Sequence, residues 1–177
     1  MTKIISSFTG EYFFLSNFWT GYPHVSMASL GIGGAFVASG EHAFQAHKAI
    51  DLGQQATILA ARTPKIAKHL GRGVPLPPWW EDRKREIMLN CLLAKFSFTS
   101  VPDGYPNLRK QLAATGDATL IEGNTWGDDY WGAIRVPTGR APTERELDLP
   151  WWRDFDGSLA GHNWLGRLLM MVREIQS

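Results

Sequence analysis

Ser39-Gly40-Glu41-His42-Ala43-Phe44-Gln45-Ala46-His47-Lys48 reads as the start of a helix that carries chemistry as well as apolar surface. Ser39 can cap it by accepting from a free backbone N–H two or three residues on. Glu41 falls in the first turn, where the positive end of the helix dipole favours an ionised carboxylate. Steps of three and four place Glu41, Phe44 and Lys48 along one stripe. At about 1.5 Å rise per residue, Glu41 and Lys48 stand roughly 10 Å apart along the axis, too far for a direct ion pair. An acid, an aromatic and a base that do not pair with each other can surround a small polar ligand. The alternative is a solvated face with Phe44 packed inward.

The neighbouring segments extend the helical reading. Gln54 to Arg62 is rich in helix formers and predicts a second helix. Thr63-Pro64 supplies a cap and a first helical position for a short third, with Gly71 as its stop. Arg72, just past that stop, is a candidate phosphate contact or a solvated Arg. Pro75, Pro77 and Pro78 stiffen the approach to the longest helix, about Trp79 to Phe98. Trp80, Ile87, Met88, Cys91, Leu92 and Phe96 share one face of it at helical spacing, while the charged run Glu81 to Glu86 fits a solvated face. Pro106 to Ala114 gives another helix, ended by Gly116, and Trp164 to Ile175 the last, with Leu165, Leu168, Leu169 and Val172 as its core stripe.

Strands are fewer. His24 to Ser29 and Ala35 to Ala38 can pair as a hairpin across Gly31-Ile32-Gly33-Gly34. Those glycines do not complete a dinucleotide fingerprint, because Phe36 stands where the third glycine belongs. Phe8 to Trp19 is aromatic and interrupted by polar residues, which predicts a short strand and an ordered loop. Within it Asn17 is either a directional hydrogen-bonding group or a turn former. Ala118 to Ile121 reads as a short strand, and residues 133–160 as a surface excursion or lid with little periodicity. The pattern predicts an α+β fold, mostly helical, in a single domain over residues 1–177 with a small β-hairpin or sheet.

Composition bounds the function. The chain has 177 residues, 44% hydrophobic and 20% charged, with a net charge of +1, which provides no broad electrostatic grip on a nucleic acid duplex or an acidic membrane. One cysteine, Cys91, excludes an internal disulfide and a thiolate zinc site. No apolar run approaches a membrane span of about 20 residues, and no signal-peptide core opens the chain, so a cytoplasmic location is expected. His42 and His47 lie about 140° apart around a helix and do not converge on a metal as an i, i+4 pair does. No nucleophile-elbow serine and no nucleotide triphosphate loop is present.

What remains is Glu41, Lys48 and the loop Glu122-Gly123-Asn124-Thr125-Trp126-Gly127-Asp128-Asp129-Tyr130-Trp131-Gly132, with eight Trp in the whole chain. Carboxylates beside aromatics suit cleavage of a glycosidic bond, one stabilising positive charge at the sugar carbon or orienting water, the other assisting the leaving group. A desolvated lysine offers a second route, by attack on the anomeric carbon and Schiff-base formation. Asn163 is a natural helix cap, and the helix start behind it can receive an anion.

Five ordered blocks carry a family resemblance: GEYFFLSNFW at 10–19, SGEHAFQAHK at 39–48, Trp80 to Phe96 ending in AKF, LRKQLAATGDATLIEGNTWGDDYWG at 108–132, and GHNWLGRLLMMVRE at 161–174. Together they resemble the YbiA-like family, also called NADAR. The resemblance implies a compact, mostly helical α+β fold and N-glycosidase activity on ribosylated bases, without metal or redox cofactor. It implies two substrate classes: ribosylamino-pyrimidine phosphates of early riboflavin synthesis, or ADP-ribose on guanine in nucleic acid. Residue by residue, Glu41 and Lys48 match the family's acid and lysine, and Asp128, three before Trp131, its D-x-x-W-G acid in preference to Asp129. Asn17 and Phe18 match its L-S-N-F, and Asn163 its G-x-N-x-L-G. Phosphate contacts then fall to Lys48 or Arg72, and stacking of the base or sugar to Phe44, Trp126 and Trp131. The segment 133–160 is longer than in the usual member, which leaves substrate preference open. A module that binds ADP-ribose or a related nucleotide without cutting it is the alternative.

Overall fold

The computed structural model describes residues 3–21, 25–26, 36–137, 139–154 and 157–177. In chain order these form β1 (Ile4–Ile5), a 3₁₀ helix (Gly10–Leu15), β2 (Val25–Ser26), β3 (Phe36–Val37) and α1 (Gly40–Ala46). Then come α2 (Leu52–Leu59), α3 (Pro64–Arg72), α4 (Trp80–Lys95), α5 (Leu108–Ala114), β4 (Thr119–Leu120) and β5 (Gly123–Asn124). The last elements are β6 (Ala133–Val136), α6 (Glu144–Leu147), β7 (Trp151–Asp154), β8 (Gly157–Ala160) and α7 (Trp164–Gln176). The fold is α+β with helix predominant, as the sequence predicts. The chain divides into two compact units, one of residues 1–16 and 115–175, the other of residues 17–114 and 176–177.

The unit of residues 17–114 is built on helices whose starts are written locally. Ser39 caps α1 through the His42 N–H, Asp51 caps α2 through Gln54 N–H at 2.8 Å, and Thr63 caps α3 through Ile66 N–H at 3.2 Å with Pro64 behind it. The α4 stripe is buried as its spacing requires: Trp80, Ile87, Met88, Cys91, Leu92 and Phe96 are all in the core, with Ala43, Phe44 and Ala46 of α1 and Ala67 of α3. Helix α1 packs against α2, α3 and α4. Val25 pairs antiparallel with Val37 and Ser26 with Phe36, so the two hairpin strands form, while Gly31 to Gly34 between them lie outside the described residues. Gly71 is not the stop of α3. The helix runs on to Arg72, and Gly73 follows it with its N–H on the Leu70 carbonyl.

The other unit holds the sheet. β1 pairs parallel with β4, and a four-stranded sheet runs in the order β5-β6-β8-β7, with β6 parallel to β5 and antiparallel to β8. The segment 133–160, expected as an excursion, supplies three of those four strands. Its strands are short, and β6 buries its two ends rather than alternate residues, so no period of two marks it in the sequence. The opening segment is likewise corrected. Phe8 to Trp19 contains no strand; Gly10–Leu15 is a 3₁₀ turn that buries Phe14 and Leu15, closed by Tyr12 N–H on Thr9 O and Ser16 N–H on Phe13 O, both 3.0 Å. Helix α7 buries Leu165, Leu168, Leu169 and Val172, and Ile121, Ala133 and Leu159 form a cluster against Ile4 and Trp152. Among the described residues no helix is long and apolar enough to cross a membrane.

Candidate functional site

In the unit of residues 17–114, the first turn of α1 presents a buried acid. Glu41 is only 5% exposed; its N–H donates to Asn17 O at 3.0 Å, and its Oε1 accepts from Gln45 Nε2, one turn on, at 2.8 Å. A carboxylate buried this far stays ionised only where donors and positive charge surround it. Lys48 supplies such a charge. Helix α1 ends at Ala46, so Lys48 lies beyond it rather than on its stripe. Its Nζ sits 5.7 Å from the centre of the Phe44 ring and 5.4 Å from that of Trp80, the two rings being 5.2 Å apart at 54°. Burial lowers the Lys48 pKa; the Glu41 charge opposes this, Lys68 and Arg72 reinforce it, and Glu81 opposes it.

Around this pair stand the other predicted residues of the unit. Asn17 is buried; its Nδ2 donates to Met88 Sδ at 3.1 Å, and its Oδ1 has no partner among the described residues. Phe18 is half-buried with Lys68 Nζ 5.6 Å from its ring centre, and Arg72 is exposed one turn after Lys68 on α3. Gln45 and Lys68 carry no mark as site residues in the sequence, and Trp80 reads there only as a core residue. The first two were available as i, i+4 partners of Glu41 and Arg72, a spacing that carries weight only once a neighbouring helix is known to face it.

The two histidines of this stretch are structural. His42 is fully buried; its Nε2 donates to Ala61 O at 3.0 Å, so in the neutral ring Nδ1 accepts from Ser39 Oγ at 2.8 Å, and burial lowers its pKa. His47 Nδ1 is on Ala43 O at 2.7 Å. Burial and the nearby Glu41 charge raise the Cys91 thiol far above the thiolate range, so it is no nucleophile. No group of three or more metal-ligating side chains exists among the described residues.

In the other unit, residues 122–132 form a tightly cross-braced loop. Asn124 Nδ2 donates to Asp128 O at 2.7 Å and to Ala133 O at 3.2 Å, while its Oδ1 accepts from Asp128 N–H at 3.1 Å. Asp128 Oδ1 accepts from Trp131 N–H at 2.9 Å. A side chain at Gly132 would run into the Glu122 carbonyl and sit 2.7 Å from Asn124 Nδ2. Asp129 is engaged by Arg145 in an ion pair, whereas Asp128 is engaged by the Trp131 backbone N–H. Trp131 is half-buried edge-on to Tyr130, and Trp126 stands 69% exposed.

Asn163 has a different task from the expected one. At φ 52° its side chain lies over Gly166 of the helix but bonds outside it: Nδ2 donates to Leu120 O at 2.9 Å, and Oδ1 accepts from Glu122 N–H at 3.0 Å. The leading N–H groups of α7 are already taken. His162, Asn163, Trp164 and Leu165 donate to the carbonyls of Asp129, Gly132, Tyr130 and Trp131 at 2.7, 3.0, 3.2 and 2.9 Å. The loop itself caps the helix, and the anion site expected at this helix start is filled by backbone.

The predicted residues thus fall into two sets. Asn17, Phe18, Glu41, Phe44, Lys48 and Arg72 belong to one unit, and Trp126, Asp128, Trp131 and Asn163 to the other. The NADAR domain matches residues 6–175. N-glycosidase YbiA of Escherichia coli (strain K12) is 33% identical over 136 residues, 76% of this chain and 67% of that one. A riboflavin biosynthesis protein of Vibrio vulnificus is 32% identical over 165 residues, 91% of this chain and 35% of that one. The NMR structure of the E. coli protein YbiA superposes with a TM-score of 0.67 at 29% identity, covering 99% of this chain and 86% of that one.

Proposed function

The chain belongs to the NADAR domain family and is an N-glycosidase of that family, and we propose that its substrate joins a phosphorylated ribose to a base. The two classes that fit are ADP-ribose on guanine, free or in nucleic acid, and a ribosylamino-pyrimidine phosphate. The single observation that carries the reading is the buried Glu41 carboxylate beside a Lys48 amine that burial has made easier to deprotonate.

Chemistry follows from that pair. Glu41 stabilises positive charge growing at the anomeric carbon as the C–N bond breaks, and the electron pair of that bond leaves with the base, which takes up a proton. The lowered Lys48 pKa favours the amine as nucleophile. Nζ attacks the anomeric carbon and gives one proton to Glu41 or solvent. The ring C–O bond then breaks, its oxygen takes up a proton and the nitrogen becomes an iminium. Water adds to the iminium carbon and the C–N bond breaks, releasing the amine and the free sugar. Phe44 and Trp80 exclude water from the amine, and Lys68 and Arg72 on α3 supply positive charge for phosphate. Asp128 keeps Trp131, and the loop carrying Trp126, in shape through the Trp131 N–H.

Incubation in parallel with ADP-ribosylated DNA and with a ribosylamino-pyrimidine phosphate, followed by mass spectrometry of released base, tests the reading. Release from one of them is expected. Stoichiometric ADP-ribose binding by calorimetry, with no base released from either substrate over hours, would instead establish a binding module.

A further inference from the structure

We infer that Gln45 and Gly71 form a relay that fixes the Glu41 carboxylate, Gln45 as the positioning residue and Gly71 as the gap that seats it. The inference deepens the N-glycosidase reading of the same site and rests on it for the catalytic part.

Its first link is the hydrogen bond from Gln45 Nε2 to Glu41 Oε1, 2.8 Å between two side chains that are 3% and 5% exposed. An ionised carboxylate only accepts, so the amide must turn its NH₂ toward Glu41 and its oxygen away. That oxygen, Gln45 Oε1, is buried and has no hydrogen-bond partner among the described residues. Buried polar atoms in folded proteins are nearly always satisfied, and an exception marks a group whose orientation is held for another reason. Here the reason is the neighbouring helix. A Cβ built on Gly71 would lie 2.8 Å from Gln45 Cβ and 2.9 Å from its Cδ, and closer still to Oε1. The glutamine lies flat in the space that α3 leaves by having no side chain there. Any larger residue would push the amide off Glu41.

The consequence is electrostatic as well as steric. A donor aimed at the charged form of an acid favours that form. The titratable groups around this pocket include Lys48, Cys91 of α4 with the fully buried Lys95 one turn on, and, around Lys48, Lys68 and Arg72 of α3 with Glu81 of α4. His42 of α1 is turned to Ser39 and Ala61, and α2 carries no titratable side chain.

Gln45→Met keeps the side chain's length and removes the donor, and Gly71→Ala leaves Gln45 in the sequence but takes its seat. Gly73→Ala is the control, since a Cβ there meets only the Leu70 carbonyl at 3.4 Å. The Glu41 carboxyl is followed by carbon-13 NMR titration, and kcat and KM are measured across pH on whichever substrate is cleaved. Both test variants are expected to raise the Glu41 pKa, to move the acid limb of kcat/KM upward with it, and to lower kcat by more than they change KM. Gly73→Ala should do neither. Test variants that lose thermal stability but leave the Glu41 titration at its wild-type position would reduce Gln45 and Gly71 to packing residues and overturn the inference. A shifted Glu41 titration in a protein that cleaves neither substrate would support the relay and overturn the N-glycosidase reading, so the two failures are distinct.

Discussion

Glu41 and Lys48 are the residues on which the proposed chemistry stands, and each makes a separate prediction. Glu41→Gln preserves the shape and the contact with Gln45 while removing the charge, so turnover should fall by roughly tenfold or more with the fold and ligand affinity retained. Steady-state kinetics beside a melting curve checks this, and near-normal turnover would take Glu41 out of the mechanism. Lys48→Arg keeps a cation over the Phe44 and Trp80 rings but cannot form an imine. With borohydride present during turnover, the wild-type protein should acquire a sugar adduct on Lys48, seen by peptide mass spectrometry, and the Arg variant none. A wild-type protein that turns over without trapping would move the nucleophile to a water oriented by Glu41.

At the scale of elements, what the sequence made legible was what neighbouring residues decide among themselves. The caps Ser39 and Thr63 and the α4 stripe from Trp80 to Phe96 are local rules, and each holds. The two-residue strands β1 and β4 pair Ile4 with Thr119 across most of the chain, and no window of local pattern contains that fact. Gly71 shows the same limit within the site: a glycine near a helix end reads as a stop until its partner Gln45 is known. Asn163 reads as a cap because Asn before a helix usually is one; its positive φ sends the amide to Leu120 and Glu122 instead. This difference is measurable. Thr63→Ala removes one exposed, exchangeable cap and should cost about 1 kcal/mol. Asn163→Ala leaves a backbone donor and a backbone acceptor without partners around a fully buried residue and should cost about 3 kcal/mol or more, read by chemical denaturation. Equal costs for the two would mean that Asn163 is an ordinary cap after all.

For the whole molecule, acid should act through two buried groups in different units, whose contributions to stability begin to fall at different pH. His42 is held neutral by burial, with its folded pKa below the ordinary 6.5. Below that pH the unfolded chain binds a proton that the folded one refuses, so stability falls as pH drops through 6.5 and stops falling once the folded pKa is passed. Glu146 shifts downward for the opposite reason. Arg140 Nη1 and Nη2 donate to its two oxygens at 2.8 and 2.6 Å and Thr143 N–H donates at 2.8 Å, which lowers its pKa from 4.5 to about 2. That contribution is complete above 4.5 and is lost as pH falls from 4.5 to about 2. Calorimetric Tm measured from pH 7.5 down to 3 should therefore begin to descend below 6.5 and gain a second contribution to its descent below 4.5. His42→Gln should flatten the first descent and leave the second, and Glu146→Gln should do the reverse, each from a lower starting Tm. A His42→Gln protein whose Tm falls between pH 6.5 and 5.5 as steeply as the wild type would remove His42 from the first step and assign it to another group.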